Sequence, residues 1–246
     1  MSEKVRLDML LVERGLAQNR ERAQALILAG DVLVAETPAQ KSGQLFSRDV
    51  LIRLKKSDHP YVSRGALKLI GALEAFPIDP KGKLAIDVGA STGGFTEVLL
   101  ERGARRVYAL DVGYNQLAWK IRTDPRVEVF EKVNARSLPQ NFFAELPALL
   151  VMDVSFISVK KLLPALLPNV TEEADWVVLI KPQFEVGREK VGKGGIVRDE
   201  AARLEAVEDV IREAARLGLK KKGFIDSPIE GTDGNREYLV WLNRAL

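Results

Sequence analysis

The sequence predicts an α/β chain with a mostly parallel seven-stranded sheet, preceded by a small α+β module. Three observations carry that prediction. From about residue 65 onward, apolar segments of strand length alternate with helical segments, the pattern of a parallel sheet covered on both faces. The last two of these strands, "KKKGFIDSPI" and "EYLVWLN", are separated only by the turn "EGTDGNR". Strands joined so closely must run antiparallel. Residues 1–56 read differently, as two short helices followed by strands.

In that first module, "RLDMLLVERGL" sets Leu7, Leu10, Leu11 and Leu16 at helical spacing. Asn19 suits the N-cap of a second helix, "RERAQALILAG", which Gly30 would end. "DVLVAE" alternates as a strand, and "DVLIRL" reads as its partner. Arg20 and Arg22 fall in the first turn of the second helix, where positive charge opposes the helix dipole. That placement suggests a use beyond helix stability, with an ordinary solvated turn as the alternative. "KKSDHPYVSRG" is polar, holds a proline and has no periodicity. It marks a linker, residues 57–64, before a larger domain over 65–246.

The larger domain opens on the helix that begins in "SRGALKL". Its strands in order are "LAIDVG", "RVYALDV", "VEVFEKV", "ALLVMDVS", "WVVLIKP" and the closing pair. Helices are expected in "GFTEVLLERG", "NQLAWKIR", "VKKLLPALL" and the long "DEAARLEAVEDVIREAARLG". A mostly parallel sheet ending in an antiparallel pair is the Rossmann-like arrangement of class I methyltransferases.

The turn "DVGASTGGFT", Asp87 to Thr96, leaves a strand and opens a helix. It spaces its glycines as Gly89-x-x-x-Gly93-Gly94, with Ser91 where a dinucleotide fingerprint needs its second glycine. It also lacks the GK[ST] of a P-loop. S-adenosylmethionine has no phosphates and asks for a backbone curled closely around its methionine part. It also asks for a carboxylate on the next strand to take the ribose hydroxyls. Asp111 ends "RVYALDVG" at the distance where a ribose-binding acid belongs. S-adenosylmethionine is the expected cofactor, and a nicotinamide or flavin dinucleotide the alternative. The expected cofactor-binding set is Asp87, Gly89, Ala90, Ser91, Gly93, Gly94, Phe95, Asp111, Asn134 and Asp153.

Composition narrows the chemistry. The chain has 246 residues, 46% of them apolar, no cysteine and a single histidine, His59. No disulfide, thiolate zinc site or thiol nucleophile can form, and a histidine-based metal centre cannot be built. Methylation at carbon 5 of a pyrimidine, which uses a thiolate, is thereby set aside. Exocyclic-amine methylation usually uses an Asp/Asn-Pro-Pro-aromatic motif, and "DVSF" at that place has no prolines. Asp153 alone is thin support for a metal-assisted reaction, so no metal is expected. No apolar run approaches the roughly 18 residues of a membrane span, and "MSEKVRLDML" lacks a signal-peptide core. A cytoplasmic protein without stable membrane insertion is expected. The net charge of +3 is compatible with a nucleic-acid partner but does not argue for one by itself.

What remains is oxygen methylation by protein groups, at strand ends beside the cofactor. Lys181 ends the otherwise apolar strand "WVVLI", Asp153 ends its neighbour, Glu237 precedes "YLVWLN", and Lys68 lies in "SRGALKL". A sulfonium nearby disfavours an ammonium and carboxylates favour it. The sequence therefore leaves open whether Lys181 removes the hydroxyl proton or steers the substrate. These four residues, in the contexts "SRGALKL", "LVMDVSFIS", "VLIKPQFE" and "GNREYL", match the Lys-Asp-Lys-Glu tetrad of FtsJ-like ribose 2′-O-methyltransferases.

The first module, through "RLDMLLVERGL" and "NRERAQALILAGDVLV", resembles the S-four RNA-binding domain. The combination is similar to the TlyA family across the whole chain. That resemblance implies methylation of cytidine 2′-hydroxyls in ribosomal RNA or ribosomal subunits, with Lys68, Asp153, Lys181 and Glu237 catalytic. It implies that Arg6, Arg20 and Arg22 contact folded RNA. Ser63 and Arg64, just before Lys68, are expected on the RNA backbone, with helix capping as the plain alternative. Phe184 is expected to stack on a flipped nucleotide, with core packing as its alternative. "KPQFEVGREKVGKGGIVRD" reads as a substrate-side loop. The family's haemolysin names raise a membrane-lytic alternative, and a small-molecule O-methyltransferase is the enzymatic one.

Overall fold

The computed structural model describes residues 4–14, 16–17, 19–55, 59–231 and 234–244. It divides into two compact units, 1–60 and 61–246. Lys56, which ends the expected first module, and Ser57 and Asp58, which open the expected linker, lie outside the described residues.

In the first unit, β1 (Lys4–Arg6) runs into α1 (Leu7–Glu13), followed by α2 (Arg20–Leu28). Four short strands complete it: β2 (Val32–Val34), β3 (Thr37–Pro38), β4 (Leu45–Ser47) and β5 (Ile52–Leu54). The Asn19 side chain caps α2 by accepting from the Arg22 N–H at 2.8 Å. Gly30, at φ +73°, lets the Gly30 and Asp31 N–H groups turn back onto the last carbonyls of α2. β2 pairs antiparallel with β5 and β3, and β1 with β4. The pairing of β1 with β4 was not foreseen, because three-residue strands leave too little alternation to read. Leu7, Leu10 and Leu11 close a core with Ala23, Ile27, Val32 and Ile52.

The second unit begins with α3 (Gly65–Ala75), β6 (Leu84–Val88), α4 (Gly94–Glu101) and β7 (Arg106–Leu110). It continues with α5 (Trp119–Arg122), β8 (Val127–Phe130), β9 (Leu149–Met152), α6 (Leu163–Leu166) and β10 (Asp175–Ile180). The last elements are α7 (Pro182–Glu185), α8 (Glu200–Arg216), β11 (Leu219–Asp226) and β12 (Tyr238–Arg244). The seven-stranded sheet has the order β11-β12-β10-β9-β6-β7-β8. β12 is antiparallel to both neighbours, and β10, β9, β6, β7 and β8 pair in parallel.

Both faces of the sheet's centre are buried, which is why β6, β9 and β10 are almost wholly apolar, whereas the edge strand β11, "LKKKGFID", is largely exposed. Along β6, β9 and β10, Ile86, Leu150 and Val178 face one core. Ala85, Val151 and Val177 face the other, against α3 and α4. α8 covers the first face through Val207, Val210 and Ala214, spaced at three and four residues, and is capped by Asp199. Two expected helices are shorter than their sequence pattern. Pro164, and Pro168 just beyond the stretch, divide "VKKLLPALL" into single turns. In "NQLAWKIR" only Trp119–Arg122 is helical.

Candidate active site

The parallel strands place their carboxyl ends along one edge, and the candidate residues collect there. Gly89, directly after β6, has φ +85°, and a Cβ on it would collide with the Asp153 carbonyl oxygen after β9. Only glycine lets these two strand tips approach so closely. Gly93, at φ +96°, caps α4 and leaves no room for a side chain against Leu117 and Ile121.

Asp111 grips the turn from the next strand. Its Oδ2 accepts from the Ser91 N–H at 2.8 Å and its Oδ1 from the Gly113 N–H at 2.7 Å. Each oxygen retains a second lone pair for a ligand hydroxyl. Asp87 is fully buried on β6. Its Oδ2 accepts from the Thr96 hydroxyl at 2.7 Å, and its Oδ1 is buried with no hydrogen-bond partner. Burial pushes the Asp87 carboxyl up to about 7, with Asp153 and Asp111 adding to the rise and the Thr96 bond opposing it.

A cavity of about 370 Å³ lies beside the turn, lined by Asp111, Asn134 and Ile157 among others. A second, of about 350 Å³, shares Gly89, Ser91, Asp153 and Ser155 with it and reaches Asp87, Lys68 and Lys181. A third, of about 400 Å³, lies on the far side of Lys68 and Lys181, with Gln183, Phe184, Phe156 and Glu237 in its wall. An orphaned carboxylate oxygen, a turn that admits only glycine at position 89 and cavities of ligand size fit a small molecule carrying an ammonium group and ribose hydroxyls.

Where the cavities meet, the tetrad forms a line of alternating charge. Lys68 Nζ donates to Glu237 Oε2 at 2.5 Å and lies 3.8 Å from Asp153 Oδ2. Lys181 Nζ lies 2.5 Å from Asp153 Oδ1, outside hydrogen-bonding geometry, and donates to Ser155 Oγ at 2.9 Å. The side chains of Lys68 and Glu237 are only 9% and 2% exposed. The absence of a side chain at Gly231 makes room for the Glu237 carboxylate.

Of the expected RNA-contacting residues, Ser63 packs over Gly94 and its carbonyl accepts from the Ala66 N–H. Arg64 donates to the Glu230 carbonyl at 3.5 Å. Phe184 lies 5.2 Å from Phe156, ring centre to ring centre. Phe156 was missed by sequence reasoning. It is 91% exposed at φ +64°, an unusual backbone for an aromatic residue. A phenylalanine after a strand end reads as core, so only the fold reveals it. Ser155 was missed because its bond to Lys181 spans 26 residues of sequence.

In the first unit, Arg6 and Arg20 converge on the buried Asp8. Arg6 binds it through two bonds of 3.0 and 2.8 Å, and Arg20 through one of 3.3 Å. Arg22 lies in the first turn of α2, the helix that Arg20 opens. Among the described residues, no group of three or more acidic or histidine side chains could hold a metal ion.

The sheet order, the glycine turn and the strand-tip tetrad define a class I methyltransferase. Residues 61–244 match the model of the FtsJ-like methyltransferases and residues 5–51 match the S4 domain. The chain belongs to the FtsJ-like methyltransferase family. The 16S/23S rRNA (cytidine-2′-O)-methyltransferase TlyA of Mycobacterium tuberculosis is 49% identical, covering 100% of this chain and 94% of that protein. Hemolysin A of Brachyspira hyodysenteriae is 42% identical over 96% of this chain and 98% of its own length. A solved structure described as a candidate hemolysin of Streptococcus thermophilus is 42% identical, with a TM-score of 0.77 over 100% of this chain and 90% of its own. Among the described residues no helix is long and apolar enough to cross a membrane.

Proposed function

We propose that this chain methylates a ribose 2′-hydroxyl of a cytidine in ribosomal RNA, with S-adenosylmethionine as donor. The carrying observation is the Glu237–Lys68–Asp153–Lys181 line between the turn-side cavities and the phenylalanine-walled one. The substrate class is supported by the name of the Mycobacterium tuberculosis relative and by the N-terminal S4 match. In this reading residues 1–56 bind RNA, 57–64 link, and 65–246 carry the reaction in the cytoplasm.

Bound S-adenosylmethionine supplies an electrophilic methyl group. Asp111 and Asn134 hold its nucleoside part, the 89–94 turn and Phe95 its methionine part, and the unsatisfied Asp87 Oδ1 faces its ammonium. Lys181 directs or takes the proton of the 2′-hydroxyl, and Asp153 holds Lys181 in place. Glu237 fixes Lys68, which grips the ribose or its flanking phosphate. Ser63 and Arg64 contact the backbone, and Phe156 and Phe184 stack on the extruded base. Arg6, Arg20 and Arg22 reach phosphates of folded RNA.

The test is transfer of a labelled methyl group from S-adenosylmethionine to purified ribosomal subunits, with mapping of the labelled nucleotide. Lys181→Ala should cut transfer by about 10²–10⁴-fold. No label in ribose with the wild-type protein would overturn the function, and wild-type turnover in Lys181→Ala would overturn its role.

A further inference from the structure

Glu185 closes α7, the short helix that directly follows Lys181. Its side chain is 1% exposed and has no role in the chemistry above. Oε2 accepts from the Ser158 hydroxyl at 2.6 Å, and Oε1 accepts from the Val159 N–H at 2.7 Å. Lys160 Nζ stands 4.0 Å from the carboxylate and 3.9 Å from Asp209.

The position of these bonds gives them their interest. The pairing of β9 with β10 ends at Met152 opposite Val178. Beyond that point one segment carries Asp153, Ser155 and Phe156, and the other carries Lys181 and Phe184. The two are tied by the Lys181–Ser155 bond, by the Phe156–Phe184 contact and, farthest out, by the two bonds of Glu185.

We propose that Glu185 is a positioning residue, a buried clamp that sets the gap between the two strand-tip segments. It thereby sets the placement of Lys181 against Asp153 and of the aromatic wall of the third cavity. This rests on the methyl-transfer reading of the same site. The clamp acts through hydrogen bonds, so a neutral amide of equal length serves as well. In Glu185→Gln the amide oxygen accepts from Val159 N–H, and the amide nitrogen donates to Ser158, whose hydroxyl reverses its role.

The test compares the full-length wild type with Glu185→Ala, Glu185→Gln and Ser158→Ala. It reads hydrogen exchange at the Val159 amide, donor affinity, and kcat and KM for methyl transfer to ribosomal subunits. Glu185→Ala should speed Val159 exchange and lower kcat by about tenfold or more, with donor affinity within about threefold. Glu185→Gln should keep both near wild type. Ser158→Ala removes one bond, should fall between them, and decides the matter if Glu185→Ala does not fold. Unchanged Val159 exchange in Glu185→Ala overturns the clamp, whether or not RNA is methylated. Faster exchange with unchanged kcat, or equal damage from Gln and Ala, overturns the positioning role. A wild type that shows the clamp by exchange but methylates no RNA counts against the proposed function alone.

Discussion

Replacing Glu237 with alanine separates what the tetrad does for stability from what it does for chemistry. The substitution removes the 2.5 Å partner of a lysine whose side chain is 9% exposed. Breaking a buried ion pair from one side costs about 3–5 kcal/mol, because the remaining charge stays buried. Asp153 still lies 3.8 Å from Lys68 Nζ, so the lower end applies, about 3 kcal/mol. For a protein of this size that corresponds to a fall in Tm of roughly 6–12 °C. The companion variant carries Lys68→Met with Glu237→Leu, removing both charges at similar volume. It should regain most of the stability yet transfer no methyl group. The assay is thermal unfolding beside labelled-methyl transfer for wild type, single and double variants. A Glu237→Ala protein melting within roughly 2 °C of wild type, or a double variant that still methylates, would refute the reasoning.

Three other outcomes are expected. Burial holds the Asp87 carboxyl at about 7, against roughly 4 when unfolded. Its contribution to stability is full below the unfolded value and is lost as pH rises through the folded one. Asp87→Asn should therefore gain about 3 kcal/mol on the wild type between pH 5 and pH 8 in urea unfolding, and a pH-independent difference would count against burial as the cause. Gly89→Ala, forced to keep φ +85° against the Asp153 carbonyl, should cost about 1–3 kcal/mol and abolish donor binding in calorimetry; retained affinity would sink the role of the turn. The Arg6 hydrogen bonds hold the Asp8 carboxyl well below the usual carboxylate range, with Gln24 and Arg20 assisting and burial opposing. Its contribution is present above the unfolded value near 4 and lost as pH falls. Asp8→Asn should therefore flatten the acid unfolding of the first unit followed by circular dichroism, and an unchanged acid limb would count against the pairing.

The apolar runs, the cap at Asn19, the glycine turn and the strand-end positions of Asp111, Asp153 and Lys181 were legible because each is a local constraint. Backbone conformation and strand period act over a few residues, so residue order alone determines them. Shortfalls arose where local signals conflict, as with Pro164 inside "VKKLLPALL", or where strands are too brief to show a period, as at β1 and β4. The first-turn position of Arg20 could be read from the sequence, but its bond to a buried Asp8 could not. Lys68 and Glu237 stand at opposite ends of the second unit's sequence, and Ser158 meets Glu185 only because β9 and β10 are neighbours in the sheet. Which charges pair, which oxygen is left unsatisfied and which phenylalanine faces outward are set by long-range packing. No spacing along the chain encodes those distances, so the tertiary structure alone decided them.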